Sequence, residues 1–354
     1  MLAEESVLQA IFDRFPDPVL LVREGKIAYC NPPANLEGLK VGDCPPWELE
    51  GTEGQGRPAV LMGELRGRPC RIHIQPLENG LLLMVRAEPE GVPLPALERV
   101  TFQLRQEMTG LSAALQRMFP QGGEKRAEQQ KKYMAAASQG LCRLLRLTGH
   151  LEFLSIPDKE LYQPAPLDLA GFCHSLARQV ESVCRSAGRT FSYELEESSL
   201  ITVGDEALLT RLLLDLLSNA LRAAGPEGTA GLRLGRRRNR AVVTVWNSGK
   251  EADLSRIFAG PEGTPPLEPG AGLGLGLSAA RRIAALHGGT LMMESSPEKG
   301  LRAVLSLPIR RPEEGMQLRS PQADYRGGFP TLLVELSNVL PAELYDPEEM
   351  ENLR

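Results

Sequence analysis

Four glycines at alternate positions, Gly270, Gly272, Gly274 and Gly276, run through Gly270-Ala271-Gly272-Leu273-Gly274-Leu275-Gly276-Leu277-Ser278 and straight into a helical pattern. Lacking Cβ atoms, such a segment lets backbone N–H groups close on a ligand. The helix that follows aims its N-terminus at the same place, and the chemistry this suits is phosphate binding. A Rossmann-type fingerprint is excluded, because no strand feeds the run within a βαβ unit and a hairpin follows. A second polar element lies upstream. Asn219 sits in mid-helix among Leu212, Leu213, Leu216 and Leu217, where an amide needs a partner, and Asp215 stands one turn earlier. Asn247-Ser248-Gly249 ends an apolar strand and reads either as a plain turn or as a ligand contact.

In context these pieces become specific. "GAGLGLGLSAARRIAALHGG" strongly resembles the G2 box and following helix of histidine kinases and their relatives in the GHKL ATPase superfamily (the HATPase_c domain). "GDEALLTRLLLDLLSNALRAA" resembles their N box, "VTVWNSGK" falls where their G1 box belongs, and "RIFAG" resembles their F box, all in the family's order. The resemblance implies that ATP and Mg²⁺ are the cofactors. Asn219 would coordinate the Mg²⁺ that bridges the triphosphate, with Asp215 standing where many relatives carry Asn, a carboxylate still suited to the ion. Arg222 would reach a phosphate. Gly272, Gly274, Gly276 and Leu277 would frame the phosphates. Asn247 and Gly249 would meet the base, although the family's usual residue in place of Asn247 is Asp; Asn still accepts through its carbonyl, without charge. Ala223 stands where an aromatic residue is often found, and Glu251 or a loss replaces the second glycine of the G1 box.

The elements that must position these residues fall into four segments. Residues 1–90 read as an amphipathic helix over Val7–Phe15, strands Val19–Val22 and Lys26–Tyr29 about a Glu24-Gly25 turn, then strands Ala59–Leu65, Cys70–Pro76 and Gly80–Arg86. "FPDPVLLVREGKIAYCNPPA" resembles the entry of a PAS domain, which implies a sensor; His73, in an alternating strand, reads as structural rather than as a haem ligand. Residues 161–310 hold the nucleotide motifs, with helices Leu169–Ala187, Asp205–Ala224 and Leu277–His287, strands Phe191–Leu195, Gly231–Gly235 and Ala241–Trp246, and a closing hairpin Thr290–Ser295 and Arg302–Pro308. Residues 259–270 lie between the motifs, where a lid would serve. His287 falls at a helix C-terminus, which favours a cation, and reads as structural. Residues 311–354 carry one apolar stretch, Phe329–Leu340, that either extends the preceding domain or docks a partner.

Residues 91–160 read as a helical hairpin. Leu97, Val100, Leu104, Met108, Leu111, Leu115 and Met118 recur at spacings of three and four, as do Met134, Ala137, Leu141, Leu144, Thr148 and Leu151. Two chains would bury these seams as a four-helix bundle, so a homodimer is expected; a seam packed on a neighbouring domain is the alternative. The hairpin resembles the dimerisation and phosphoacceptor domain of histidine kinases. Arg105-Gln106-Glu107-Met108-Thr109-Gly110-Leu111 lies over the family's His-Glu-Leu-Arg-Thr-Pro-Leu, so that Arg105 occupies the acceptor position. A guanidinium is a poor nucleophile at physiological pH. Reflecting the hairpin about Gly122 puts His150 about 16 Å beyond the point opposite Arg105, at 1.5 Å per residue, too far to substitute. Thr109 matches the threonine that in relatives assists hydrolysis of a regulator's phosphoaspartate.

The fold class expected is α+β multidomain: a PAS-like α/β sensor, a helical hairpin forming a dimeric four-helix bundle, and an α/β-sandwich GHKL ATP-binding domain. Three functions remain open: a two-component sensor kinase acting on another acceptor, a regulatory pseudokinase that docks a response regulator or partner kinase, and a phosphatase of a response regulator. The 354 residues, with 42% hydrophobic and 24% charged and a net charge of −5, give no basic block for nucleic acid. Six cysteines without C-x-x-C pairs argue against zinc and for a reduced, cytoplasmic setting. No apolar run approaches the ~20 residues of a membrane span, and Met1–Ala10 is too charged for a signal peptide.

Overall fold

The computed structural model describes residues 11–13, 15–47, 49, 58–88, 94–117, 126–249, 254–259, 275–296, 300–312, 325–326 and 329–352. Strands β1 (Val19–Arg23) and β2 (Lys26–Cys30) form a hairpin, and α1 (Pro32–Leu36) follows. Glu24 and Gly25 both take positive φ at the turn, 50° and 74°, as a tight two-residue hairpin with right-handed strand twist requires. Asn31 organises this entry. Its Oδ1 accepts from Val19 and Ala34 N–H, and its Nδ2 donates to the carbonyls of Phe12 and Asp17. Strands β3 (Ala59–Leu65), β4 (Arg68–Leu77) and β5 (Gly80–Ala87) complete an antiparallel sheet in the order β2-β1-β5-β4-β3. Its core joins Leu20, Ile27, Ile72, Ile74, Leu83 and Trp47.

Helices α2 (Leu94–Arg117) and α3 (Arg126–Ser155) form the hairpin, with Val100 packed on Leu147 and Glu107 3.7 Å from Arg143. These pairs place the hairpin register several residues away from a reflection about Gly122. His150 therefore lies five to eight residues, about 8–12 Å, beyond the level of Arg105 instead of eleven, and on the side of α3 that faces Asp215 of α6. The hydrophobic seam on α2 and α3 stays partly open: Met108 is 62% exposed and Leu141 39%.

The rest of the chain builds a second sheet. Elements α4 (Asp158–Leu161), β6 (Ala165–Asp168), α5 (Leu169–Ser186), β7 (Thr190–Leu195), β8 (Ile201–Gly204), α6 (Glu206–Ala224), β9 (Thr229–Arg237), β10 (Arg240–Asn247), α7 (Leu254–Ala259), α8 (Leu275–Leu286), β11 (Thr290–Ser296) and β12 (Gly300–Pro308) follow in turn. The strand order is β11-β12-β10-β9-β7, antiparallel except for the β7–β9 pair. Helices α5, α6 and α8 share one apolar core with it. Helix α5 buries Leu169, Cys173, Leu176, Val180 and Val183 at spacings of three and four, an amphipathic pattern. Helix α6 is buried almost all round from Leu208 to Leu221. Asp205 caps it by accepting from Leu208 N–H, and Gly225, at φ 72°, ends it.

His287 is a brace rather than a terminal cation. Its Nε2 accepts from Asp205 N–H at 2.9 Å and its Nδ1 donates to the Ile283 carbonyl at 2.8 Å, so the ring is neutral. Burial lowers its pKa accordingly.

Two features complete the fold, the first outside the sequence reading and the second among its alternatives. First, β3 pairs antiparallel with β11, Val60 opposite Met293 and Met62 opposite Leu291, which fuses the two sheets into one of ten strands. Buried charges back the join: Glu88 lies 2.6 Å from Arg71 and 3.0 Å from Arg281 of α8. Second, the C-terminal stretch is helical. Helix α9 (Thr331–Glu335), a 3₁₀ turn Ala342–Tyr345 and α10 (Pro347–Asn352) dock on α3, and α9 also on α6. Leu333, Val334, Leu336 and Tyr345 are fully buried there. The N-terminal helix before Ile11, residues 260–270 of the lid, Glu251, Gly270, Gly272 and Gly274 lie outside the described residues. Among the described residues no helix is long and apolar enough to cross a membrane.

Candidate nucleotide site

Helix α6 carries the polar residues that its apolar surroundings make conspicuous. Asp215, Asn219 and Arg222 follow at i, i+4 and i+7, hence along one face. Asn219 is half-buried, and its Oδ1 accepts from Arg222 Nη2 at 2.9 Å. The start of α8 meets this face: a Cβ added to Gly276 would lie 3.7 Å from the Asp215 carboxyl. Leu277 is half-buried against the main core. The glycine-entered helix and the helix bearing Asn219 are thus side by side.

At the C-terminal end of α6, strand β10 delivers Asn247. It is 1% exposed, and neither Oδ1 nor Nδ2 has a hydrogen-bond partner among the described residues. Glycines wall it. A Cβ on Gly249 would come within 2.6 Å of the amide nitrogen and 3.0 Å of the Ala223 carbonyl, and a Cβ on Gly300 within 2.9 Å of the same nitrogen. Buried amides in folded proteins are nearly always satisfied, so this pair of free polar atoms calls for a ligand. The chemistry of the donor set fits a nucleotide: an amide for a base, and an amide with a guanidinium toward the start of α8 for phosphates and their cation.

Asp215 faces a different set of groups. Arg146 Nη2 lies 2.9 Å from its Oδ1, and His150 Nε2 3.1 Å from Oδ2. Arg146 Nε in turn lies 3.2 Å from Glu335 of α9, which is 0% exposed. Arg211, one turn before Asp215, stacks on Phe153 of α3 at 4.6 Å. Burial alone would raise the Asp215 carboxyl, but His150 and Arg146 hold it well below the usual carboxylate range. Glu335 is pushed up, by burial first and then by the charge of Asp215. His150, Asp215 and Glu335 bring ligand-type atoms within 4.8 Å of one another. Arg146 already supplies the cation between the two carboxylates, so the cluster is an ion-pair network that ties α3, α6 and α9 together.

Sequence reasoning missed Arg146, Gln139, Glu335 and Gly300. Only Arg146 and His150, polar residues four apart in an apolar helix, left a local signal. Arg105 and Thr109 lie on the exposed side of α2, with Thr109 Oγ1 donating to the Arg105 carbonyl at 2.8 Å.

Comparison with known proteins bears on the same segment of the chain. Residues 204–311 match the family described as histidine kinase-, DNA gyrase B-, and HSP90-like ATPase. Adaptive-response sensory kinase SasA of Synechococcus sp. (strain CC9902) is 28% identical over 298 residues, covering 77% of this chain and 73% of the relative. Sensor protein ChvG of Agrobacterium fabrum is 28% identical over 234 residues, 61% of this chain but 39% of the relative. Among solved structures, histidine kinase ThkA in complex with response regulator protein TrrA aligns over 85% of this chain and 98% of that one, at 20% identity and a TM-score of 0.47. Residues 204–311 are therefore similar to the ATPase domains of histidine kinases, DNA gyrase B and HSP90, within a chain that is similar to sensor histidine kinases.

Proposed function

We propose that this chain is a cytoplasmic two-component signalling protein that binds Mg-ATP and works as a nucleotide-dependent regulatory module. It takes no phosphate at the usual acceptor position. The observation that carries the nucleotide half of this reading is the buried, unpartnered Asn247 amide of β10 beside the C-terminal end of α6, with Asn219 and Arg222 on α6 and Gly276 of α8 against the same helix. Asn219 would hold Mg²⁺, whose chemistry there is neutralisation of the triphosphate; Arg222 would take a phosphate and Gly249 the base. Arg105 carries the pseudokinase half, since its guanidinium, protonated at physiological pH, is a poor nucleophile toward a phosphoryl group.

The organisation follows the same reading: a PAS-like sensor over residues 1–90, supported by the strand order β2-β1-β5-β4-β3; a dimerisation hairpin over 91–160, supported by the exposed Met108 and Leu141; the ATP-binding domain over 161–310; and the C-terminal extension 311–354. The dimer would dock a response regulator or a partner kinase. A second reading, phosphatase of a response regulator, is favoured by Thr109, which sits on the open face of α2 one turn from Arg105.

Calorimetric titration of the full chain with Mg-ATP, alongside incubation with γ-labelled ATP, tests the reading. Binding that needs Mg²⁺, weakens in Asn219→Ala and leaves no label on the protein is expected. Acid-labile label on the chain would overturn the pseudokinase reading, and an absence of any nucleotide binding would overturn the whole. Loss of label from a phosphorylated regulator, abolished by Thr109→Ala, would select the phosphatase.

A further inference from the structure

The Asn247 amide restricts what the base can be. A side-chain amide presents an acceptor and donors in one plane, whereas a carboxylate only accepts. Here both ends are free: Oδ1 and Nδ2 lie buried without partners, so no hydrogen bond fixes which of them points into the space. The backbones of Gly249 and Gly300 lie beside it. A half-turn of the amide exchanges donor for acceptor.

Purine edges divide along this line. Adenine offers an N–H donor at C6 beside the N1 acceptor. Guanine and hypoxanthine offer a C6 carbonyl acceptor beside an N1–H donor. An amide pairs with either edge through two hydrogen bonds after a half-turn. A carboxylate on the same edge gains one hydrogen bond and faces one acceptor with either base, N1 of adenine or the 6-oxo oxygen, so only the amide's donor–acceptor pair matches both edges in full.

We propose that Asn247 makes the base pocket of this chain accept 6-oxopurine nucleotides, of the guanine and hypoxanthine type, alongside adenine nucleotides. The inference rests on the nucleotide-binding reading of the site and deepens it by naming the substrate class. The amide has no charge to lose or gain, so the balance between the two base classes does not depend on pH near neutrality.

Competition of ATP, GTP and ITP, each with Mg²⁺, against a fluorescent ATP analogue on the full chain tests the idea. Affinities for the three nucleotides within about tenfold of one another are expected. Asn247→Ala, which removes the amide that pairs with either edge, should weaken ATP, GTP and ITP together by roughly tenfold. Wild-type protein that binds ATP but prefers it to both GTP and ITP by more than about 100-fold would overturn the inference and leave the nucleotide reading standing. Failure to bind any of the three, with the fluorescent analogue also unbound, would overturn both. The wild-type ratios decide the matter even where the substituted protein does not fold.

Discussion

Two stripes run along α3, and they differ in kind. Met134, Ala137, Leu141, Leu144, Thr148 and Leu151 form the apolar one, yet Leu141 is 39% exposed and Met134, Leu144 and Leu151 are only half-buried. Ala135, Gln139, Cys142, Arg146, His150 and Phe153 form the other, at the same spacings, and every one of them is buried. The half-polar stripe is the one this chain covers. Gln139 Nε2 donates to the Ser337 and Leu340 carbonyls, Arg146 meets Asp215 and Glu335, and His150 meets Asp215. Burial follows the availability of partners, not hydropathy alone: a buried charge is tolerated when a counter-charge and hydrogen bonds are built opposite it.

The comparison breaks most sharply at Asp215. Asp215→Leu removes the anion that faces both Arg146 and His150 and leaves a guanidinium buried among groups that no longer balance it. A loss of roughly 3–5 kcal/mol is expected, read as the midpoint and slope of urea unfolding. The combined replacement Arg146→Met, Asp215→Leu and Glu335→Leu should recover much of that loss, because an apolar set of similar volume needs no counter-charge. A triple variant no more stable than Asp215→Leu would show that the network contributes attraction beyond its own desolvation.

Gln139→Leu comes next. It keeps the volume but strips the Leu340 carbonyl of its side-chain donor and the Ser337 carbonyl of one of two, a cost of about 1–3 kcal/mol. The effect should concentrate at one end of the interface. Hydrogen exchange and limited proteolysis should rise over residues 329–352 before they rise in the sheet, since the docked segment is held to α3 by those bonds and by Arg143 Nε on the Ser337 carbonyl.

The pH response of the same stripe has two opposed parts. Glu335 has a raised folded pKa, so on acidification the folded state takes up its proton before the unfolded chain does, and stability rises as pH falls toward about 4.3. Asp215 has a depressed folded pKa, so its stabilising share is complete above about 3.9 and is lost as pH falls further toward the folded value. Glu335→Gln should flatten the first part and leave the second. Denaturant midpoints measured from pH 3 to 7 on both proteins check this; an unchanged slope between pH 5 and 7 would mean that Glu335 stays ionised throughout.

The stripe that hydropathy found was legible because apolar spacing is a local signal. So were the strands from Val19 to Ala87, helices α5, α6 and α8, and the order of the nucleotide motifs, where glycine spacing and a lone Asn in a leucine-rich helix mark themselves. The polar stripe was not legible, since the partners of Gln139 and Arg146 come from residues 215 and 335–340, far along the chain. For the same reason the β3–β11 pairing escaped notice: an edge strand carries no mark of which other edge it will meet. His150 was misplaced because the hairpin register depends on where Glu107 and Val100 find their partners, not on the position of the glycines at the turn. Asp215 was read by its motif, toward the metal. The structure turns its carboxylate to α3, and no residue near it in sequence announces that.

The open stripe answers to the smallest substitution in stability terms. Leu141→Glu puts a charge on a side chain that is already 39% exposed, and Met108→Glu does the same at 62%. Within one chain either change should move stability by no more than about 0.5 kcal/mol, as surface substitutions do. Between chains the outcome differs if the seam is covered by a second copy, as we propose. A glutamate at 141 would then be buried against its own symmetry mate, where like charges repel and neither is solvated. Sedimentation of the wild-type chain should show a dimer, and that of Leu141→Glu a monomer with unchanged unfolding at low concentration. A variant that keeps the wild-type mass would place the second copy elsewhere and leave the apolar stripe as a face that this chain exposes on its own. The contrast between the stripes would then lie wholly in their chemistry, one satisfied within the chain and the other tolerated in water because Thr148 and Ala137 interrupt its leucines.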